Sequence, residues 1–240
     1  MRYRWLATLG LLLYTAAPAS AAVSISIGVP SIDIGIHLPG LPSLTIVAGS
    51  PVYYAPRVNA NFFFYDGMYW VYQGDNWYCS SWYNGPWALV DPQIVPGFIL
   101  RVPVRYYRRP PPYFHGWAAK APPRWGEHWG DNWEQEHRSW NQVDRAHVPP
   151  PAPIPVYQRK YKGKQYPTVE QQPVLHSKNY KYQPHEPVVQ EHYQQHDAPQ
   201  QHGQGQHGGQ QGQGPHGGQD GQGQHGQGHG GQENGDEHDK

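Results

Sequence analysis

Apolar and polar residues alternate along residues 22–49, and a period of two predicts β-strand. Val23, Ile25 and Ile27 fall on one face, and residues 32–38 continue the alternation. Three prolines interrupt the pattern: Pro30, Pro39 and Pro42. Because proline within sheets is confined to edges and strand ends, this segment is expected to form two short strands or an extended β arm. The pattern leaves open whether the arm pairs with the rest of this chain or with another chain.

Residues 52–104 have the pattern of a small, mainly β module. Asp66-Gly67 lies between two runs of β-forming residues, which is a strong signal for a two-residue hairpin. Gly74-Asp75-Asn76 and Asn84-Gly85 mark two further turns. The predicted strands are 62–65, 68–72, 77–82, 87–90 and 99–104. Such an order predicts a small antiparallel meander or an SH3-like barrel.

The same period predicts which residues share a face of the sheet. Met68, Trp70 and Tyr72 fall on one face, and Tyr69 and Val71 on the other. Because both faces carry rings, some of the rings are expected to be exposed. The candidate ligand-binding residues of the module are its tryptophans, either as core or as contact surface: Trp70, Trp77, Trp82 and Trp87.

A basic connector rich in proline and aromatic residues follows at 105–123. No acidic residue occurs between Asp91 and Glu127. Arginine beside aromatic rings can bind an anionic polymer, and an envelope glycan is a more plausible partner here than nucleic acid. The candidates are Arg105, Arg108 and Arg109. Two plainer interpretations are that these arginines keep an aromatic surface soluble, or that they pair with the acidic residues of 127–136.

Residues 124–145 predict one short amphipathic helix with a tryptophan stripe. Trp125, Trp129, Trp133 and Trp140 are spaced for one helical face, and Glu134 and Arg138 are spaced for an i,i+4 pair. A stripe that packs on the sheet is favoured over a ladder that stacks on glycans.

Composition separates residues 22–145 from the C-terminal part of the chain. Of the 240 residues, 28 are Gly and 26 are Pro. Residues 146–198 predict a Pro-rich linker, disordered or extended because 156–198 have no Trp and no sustained period. The Gly/Gln/His-rich tail at 199–240 predicts disorder, because it cannot bury enough apolar surface to offset the entropy of ordering.

The N-terminus predicts export. Arg2 and Arg4 precede an apolar run at 6–17, which is shorter than the about 20 residues that span a membrane. Ala19-Ser20-Ala21 then supplies a cleavage pattern, so 1–21 is expected to be a signal peptide. The mature protein would be periplasmic or secreted, without a transmembrane anchor. Cys79 is the one cysteine, expected to be a small buried hydrophobe, with intermolecular pairing as the alternative.

Histidine is the one repeated chemical signal. The candidate metal ligands are His192, His196, His202, His207, His216, His225 and His229. Imidazoles suit Zn, Cu and Ni, so weak binding by the tail is one hypothesis, and a hydrophilic spacer is the other. Neither the spacing nor a cysteine cluster indicates a structural zinc site.

The sequence contains no recognisable enzyme motif, such as a nucleophile elbow, a zinc-protease helix or a phosphate loop. The chain is therefore expected to be a non-catalytic cell-envelope protein without a cofactor, with a binding or structural role. Periplasmic metal buffering by the tail is the alternative.

Two resemblances to known proteins also indicate an exported protein. The runs Asn76-Trp77-Tyr78, Asn84-Gly85, Pro86-Trp87-Ala88-Leu89-Val90 and Asp91-Pro92-Gln93 resemble bacterial SH3-like modules of envelope proteins. A longer likeness, through 51–56, 64–70, 82–87 and 122–126, is to uncharacterised exported proteobacterial proteins. It implies export and brings no activity or catalytic residue.

Overall fold

A computed structural model describes residues 32–138, 140–142 and 148–197. The predicted signal peptide at 1–21, the first part of the arm and the tail at 199–240 lie outside the described residues.

The core of the fold is a six-stranded antiparallel sheet in which every strand pairs with its neighbours in sequence. The strands are β1 (Thr45–Ile46), β2 (Tyr53–Tyr54), β3 (Asn61–Tyr65), β4 (Met68–Gln73), β5 (Asn76–Ser80) and β6 (Ala88–Val90). The predicted meander is confirmed. The barrel alternative is wrong, because β1 and β6 are the two edges of an open sheet.

The predicted hairpin turns lie where the sequence places them. Asp66 and Gly67 have φ of 51° and 88°, and Gly74 and Asp75 have φ of 56° and 67°. Two consecutive residues with positive φ make the turn that matches the twist of paired strands. The turns therefore hold β3, β4 and β5 in one continuous register.

The two faces of the sheet each bury a hydrophobic cluster, with the side chains divided as the period of two predicts. Met68 and Trp70 belong to one cluster, together with Cys79. Tyr69 and Val71 belong to the other. Cys79 is a free, fully buried thiol, and burial raises the pKa of that thiol, as expected of a small hydrophobe rather than a reactive cysteine.

The described part of the arm packs on the sheet of its own chain. Ile32 and Trp87 exchange backbone hydrogen bonds of 3.1 and 3.2 Å, and Ile34 and Ile36 are buried in the second cluster. The arm thus covers one face of the sheet, and β1 extends its edge.

The described residues also form short α-helices: α1 (Gly97–Leu100), α2 (Trp125–Trp129), α3 (Asp131–Glu136), α4 (Gln171–Asn179) and α5 (Pro187–Asp197). None of these described helices has the length and apolar character needed to cross a membrane. The predicted strand at 99–104 is wrong, because α1 covers its start and turns Ile99 and Leu100 into the first cluster.

The predicted helix at 124–145 is two helices, α2 and α3, because Gly130 between them has a φ of 89°. The tryptophan stripe nevertheless survives as a chain of packed rings. Trp125 and Trp129 stack with centroids 4.5 Å apart, and Trp133 lies 4.8 Å from Trp129. The predicted ion pair between Glu134 and Arg138 does not form among the described residues, because α3 ends at Glu136, before Arg138; the Trp140 indole donates to Glu134 instead.

The prediction that 146–198 is a disordered or extended linker is wrong for the described residues, because single polar and aromatic contacts hold this segment on the sheet. The Tyr69 hydroxyl donates to Gln158 at 3.1 Å, and the Trp82 indole donates to the Gln172 carbonyl at 3.3 Å. Tyr180 is buried in the second cluster. This layer and the arm pack on the second cluster, and α1, α2 and α3 pack on the first, so both faces of the sheet are buried, including the rings that were expected to be exposed.

Candidate functional site

The four tryptophans proposed as core or contact surface are core. Trp70, Trp77, Trp82 and Trp87 are each no more than 1% exposed. A ligand in solution cannot reach these rings. Trp70 and Trp77 fill the first cluster, Trp87 fills the second, and Trp82 packs against Tyr157, Tyr161 and Tyr166.

An open concavity of about 850 Å³ lies at one end of the sheet and is called here the Arg109 cleft. The arm lines it at residues 34–36, and Arg109 lines it together with Pro110–Pro112. The turn after β4 closes its end with Asp75. The cleft therefore brings together three segments that are distant in sequence.

Asn61 on β3 positions Arg109 in this cleft. The Asn61 side chain, 3% exposed, accepts from the Arg109 backbone N–H at 2.8 Å and donates to the Arg109 carbonyl at 2.7 Å. A buried amide that uses its oxygen and its nitrogen on one residue fixes the backbone of that residue. The Arg109 side chain remains exposed, and no ion pair involves it within the described residues.

Asp75 is the centre of a polar cluster at the end of the cleft. Its Oδ1 accepts from the hydroxyls of Tyr72 and Tyr113 at 2.7 and 2.8 Å and lies 2.8 Å from Nε2 of His128. The Tyr113 ring also stacks on His128, with centroids 4.1 Å apart. In the part of the chain that the structure describes, no hydrogen bond uses Oδ2 of Asp75, which leaves that oxygen available as an acceptor.

The cluster holds Asp75 as a carboxylate. Burial by itself raises the pKa of Asp75, but the bonds from Tyr72 and Tyr113 and the nearby His128 favour the charged form, so the pKa lies below its ordinary value. Burial raises the pKa of both tyrosines, and their hydroxyls remain protonated donors. The cleft thus presents a fixed carboxylate and a free guanidinium.

Arg105 and Arg108, the other basic candidates, do not line this cleft. Arg105 lies over the Tyr106 ring and donates to its hydroxyl at 2.9 Å, whereas Arg108 is exposed. Of the predicted pairing with the acidic residues of 127–136, the structure shows Arg124 with Glu127 at 3.0 Å. That pairing leaves Arg105, Arg108 and Arg109 unneutralised among the described residues.

The predicted metal ligands fall mostly outside the described residues. His192 and His196 lie on α5. This helix begins at Pro187, and a proline is tolerated in the first turn of a helix. His192 is 5% exposed and is thus part of the packed interior. Within the described residues, no group of three His, Cys, Asp or Glu side chains is placed to hold a metal ion. His202, His207, His216, His225 and His229 lie beyond them.

Sequence analysis identified Arg109 but missed Asn61, Asp75 and His128 as parts of one site. The sequence around Asp75 indicates only a turn, because Gly-Asp-Asn is turn chemistry, and nothing local shows that Tyr113 and His128 reach it. Comparison with family models, with curated proteins and with solved structures gives no match. The two resemblances found in the sequence therefore stay predictions, and function has to be inferred from the geometry of this chain.

Proposed function

We propose that this chain is an exported, non-catalytic cell-envelope protein that binds a glycan in the Arg109 cleft. One observation carries the proposal: Asn61 holds Arg109 in the same cleft as a carboxylate that Tyr72, Tyr113 and His128 keep charged. Export rests on the signal peptide predicted at 1–21 and on the resemblance to exported proteins.

The lining chemistry suits a sugar. Asn59, Gln73 and Asp75 offer amide and carboxylate groups to hydroxyls, and the exposed or half-buried rings of Pro110–Pro112 offer an apolar strip. Binding sites of this kind combine apolar walls with a few placed polar groups. Because these groups are set by the arm and by turns of the sheet, the site exists before the ligand arrives, which lowers the entropic cost of binding.

The same lining favours binding over hydrolysis. Cleavage of a glycosidic bond commonly uses two carboxyl groups on either side of that bond. Among the described residues that line the cleft, Asp75 alone carries a carboxylate. Hydrogen bonds to Tyr72, Tyr113 and His128 keep Asp75 charged. A general acid has to be protonated before it can donate a proton to the leaving group.

Retention on purified cell-wall fractions tests the proposal. Arg109→Ala and Asp75→Asn are each expected to reduce retention of the full chain by about tenfold, since each removes a charge-assisted hydrogen bond of about 1.5–3 kcal/mol. Arg108→Ala is the matched control, because Arg108 is the exposed neighbour that lies outside the cleft. Equal retention of wild type and both cleft variants, at low and at moderate salt, would refute the proposal.

A further inference from the structure

A second concavity of about 550 Å³ adjoins the Arg109 cleft and is called here the cationic groove. Asn59 lines both the cleft and the groove. The arm also runs along both, at 34–36 in the cleft and at 38–43 in the groove. The two concavities therefore form one continuous track along the arm.

The groove collects positive charge from two distant parts of the chain. Arg57 comes from the loop between β2 and β3, and Arg159 and Lys162 come from the layer at 148–197. All three are exposed, and none forms an ion pair within the described residues. No Asp or Glu lies among the described residues that line the groove.

The charge of this groove differs from that of another concavity among the described residues. The cleft of about 480 Å³ beside α2 and α3 contains Arg124 together with three acidic residues, Glu127, Asp131 and Glu134. Acidic groups therefore outnumber basic groups in its lining. In the cationic groove, positive groups converge without a counter-charge among the described residues that line it. That arrangement raises the potential locally and attracts anions.

We propose that the Arg109 cleft and the cationic groove together bind one linear anionic glycan. Its hydroxyl-bearing units would lie in the cleft, and its repeated acidic groups, carboxylate or phosphate, would pair with Arg57, Arg159 and Lys162. This inference rests on the proposed function and names the ligand class: a polymer whose charge continues beyond the units that the cleft holds.

The ring chemistry of the track favours a glycan over a nucleic acid. Proteins that bind single strands stack successive bases on aromatic side chains. Of the described residues that line the track, Tyr72 and Tyr113 are aromatic, and both are engaged with Asp75.

Binding of the full chain to three polymers tests the inference: polygalacturonate, a phosphorylated mannan and neutral dextran, each titrated at low and moderate salt. The groove variant is Arg57→Gln/Arg159→Gln/Lys162→Gln. We expect it to weaken binding of at least one acidic polymer by about tenfold or more, since exposed ion pairs contribute up to about 1 kcal/mol each. Its salt dependence should also become shallower, because fewer counterions are released.

The matched control is Arg105→Gln/Arg108→Gln/Lys120→Gln, which removes the same charge from exposed positions outside the track. It should change binding by less than about twofold. Lys162→Glu provides a second variant at one exposed position, and it should weaken the acidic polymers more than dextran.

The outcomes separate the inference from the proposed function. If Arg109→Ala weakens binding and the groove variant does not, the glycan-binding cleft stands and the track is refuted. If neither changes binding, both are refuted. Equal losses in the groove and control variants would indicate net charge alone and overturn the inference. Tighter binding of single-stranded DNA than of either acidic polymer at equal salt would also overturn it.

Discussion

The carboxylate of Asp66 accepts a 2.8 Å hydrogen bond from the backbone N–H of Glu186, 120 residues further along the chain. Asp66 also accepts from the backbone N–H of His185 and from the hydroxyl of Tyr182. A carboxylate in the turn between β3 and β4 thus satisfies backbone donors just before α5 begins at Pro187. Such donors have no partner within the helix itself.

We expect Asp66→Asn to loosen α5 while leaving the sheet intact. Asparagine accepts the positive φ of this turn, so the change removes mainly the charge. The expected loss is about 2 kcal/mol in the free energy of unfolding. Trypsin should cleave faster after Lys178 and Lys181, which precede α5. Asp75→Asn is the control in a turn of the same kind, and an unchanged cleavage rate in Asp66→Asn would contradict the prediction.

Asn61→Ala should disorganise the wall of the Arg109 cleft. It removes one bond to the Arg109 N–H and one each to the carbonyls of Arg109 and Tyr72. Because these groups lie at a buried position, we expect a loss of about 2–3 kcal/mol, measured by urea unfolding, together with lost glycan retention. Asn59→Ala, the control, changes a residue that lines the same cleft and should leave stability nearly unchanged. Similar unfolding curves for Asn61→Ala and wild type would refute the role of Asn61.

The buried imidazole of His176 should make stability depend on pH. It is 4% exposed, bonded to the Tyr157 hydroxyl and stacked on Tyr193, and burial lowers its pKa from 6.5 to about 4. Between pH 6.5 and about 4, His176 binds a proton in the unfolded chain but stays neutral in the folded chain. The free energy of unfolding therefore decreases as pH falls through this range. At about 1.4 kcal/mol per pH unit, the loss reaches about 3 kcal/mol.

The difference in unfolding free energy between wild type and His176→Gln measures this contribution. It should be constant above pH 7 and should shrink as pH falls from about 6.5 to 4. His115→Gln is the control, since His115 is exposed. Burial raises the pKa of Glu186, so this carboxyl group increases the free energy of unfolding as pH falls. Glu186 is present in both wild type and His176→Gln, and its effect therefore cancels in the difference. A difference that does not vary with pH would rule out a neutral buried His176.

Weak transition-metal binding by the tail remains a separate proposal. The full chain with its tail histidines replaced by glutamine should lose the calorimetric signal with Zn²⁺, Cu²⁺ and Ni²⁺, because imidazoles are the ligands available there. The tail histidines are His202, His207, His216, His225, His229 and His238. A control that replaces tail glutamines by asparagine should keep the signal. Identical titrations of the two variants would refute metal binding by these histidines.

The sequence by itself determined the features that depend on near neighbours. Asp66-Gly67 and Gly74-Asp75 predicted their turns, because positive φ is a local preference. The alternation in β4 predicted which rings share a face, because successive strand residues point to opposite sides. Trp125, Trp129 and Trp133 were also recognised as a packing stripe, although Gly130 divides their helix.

Only the tertiary structure decided where the chain orders its last layer and where it leaves a cleft. Residues 148–197 have no sustained period, yet their tyrosines and amides find partners on a sheet formed some eighty or more residues earlier. Asn61 and Arg109, 48 residues apart, form the cleft wall in the same way. Contacts of this kind are set by packing between distant segments, so no local pattern of hydrophobicity encodes them.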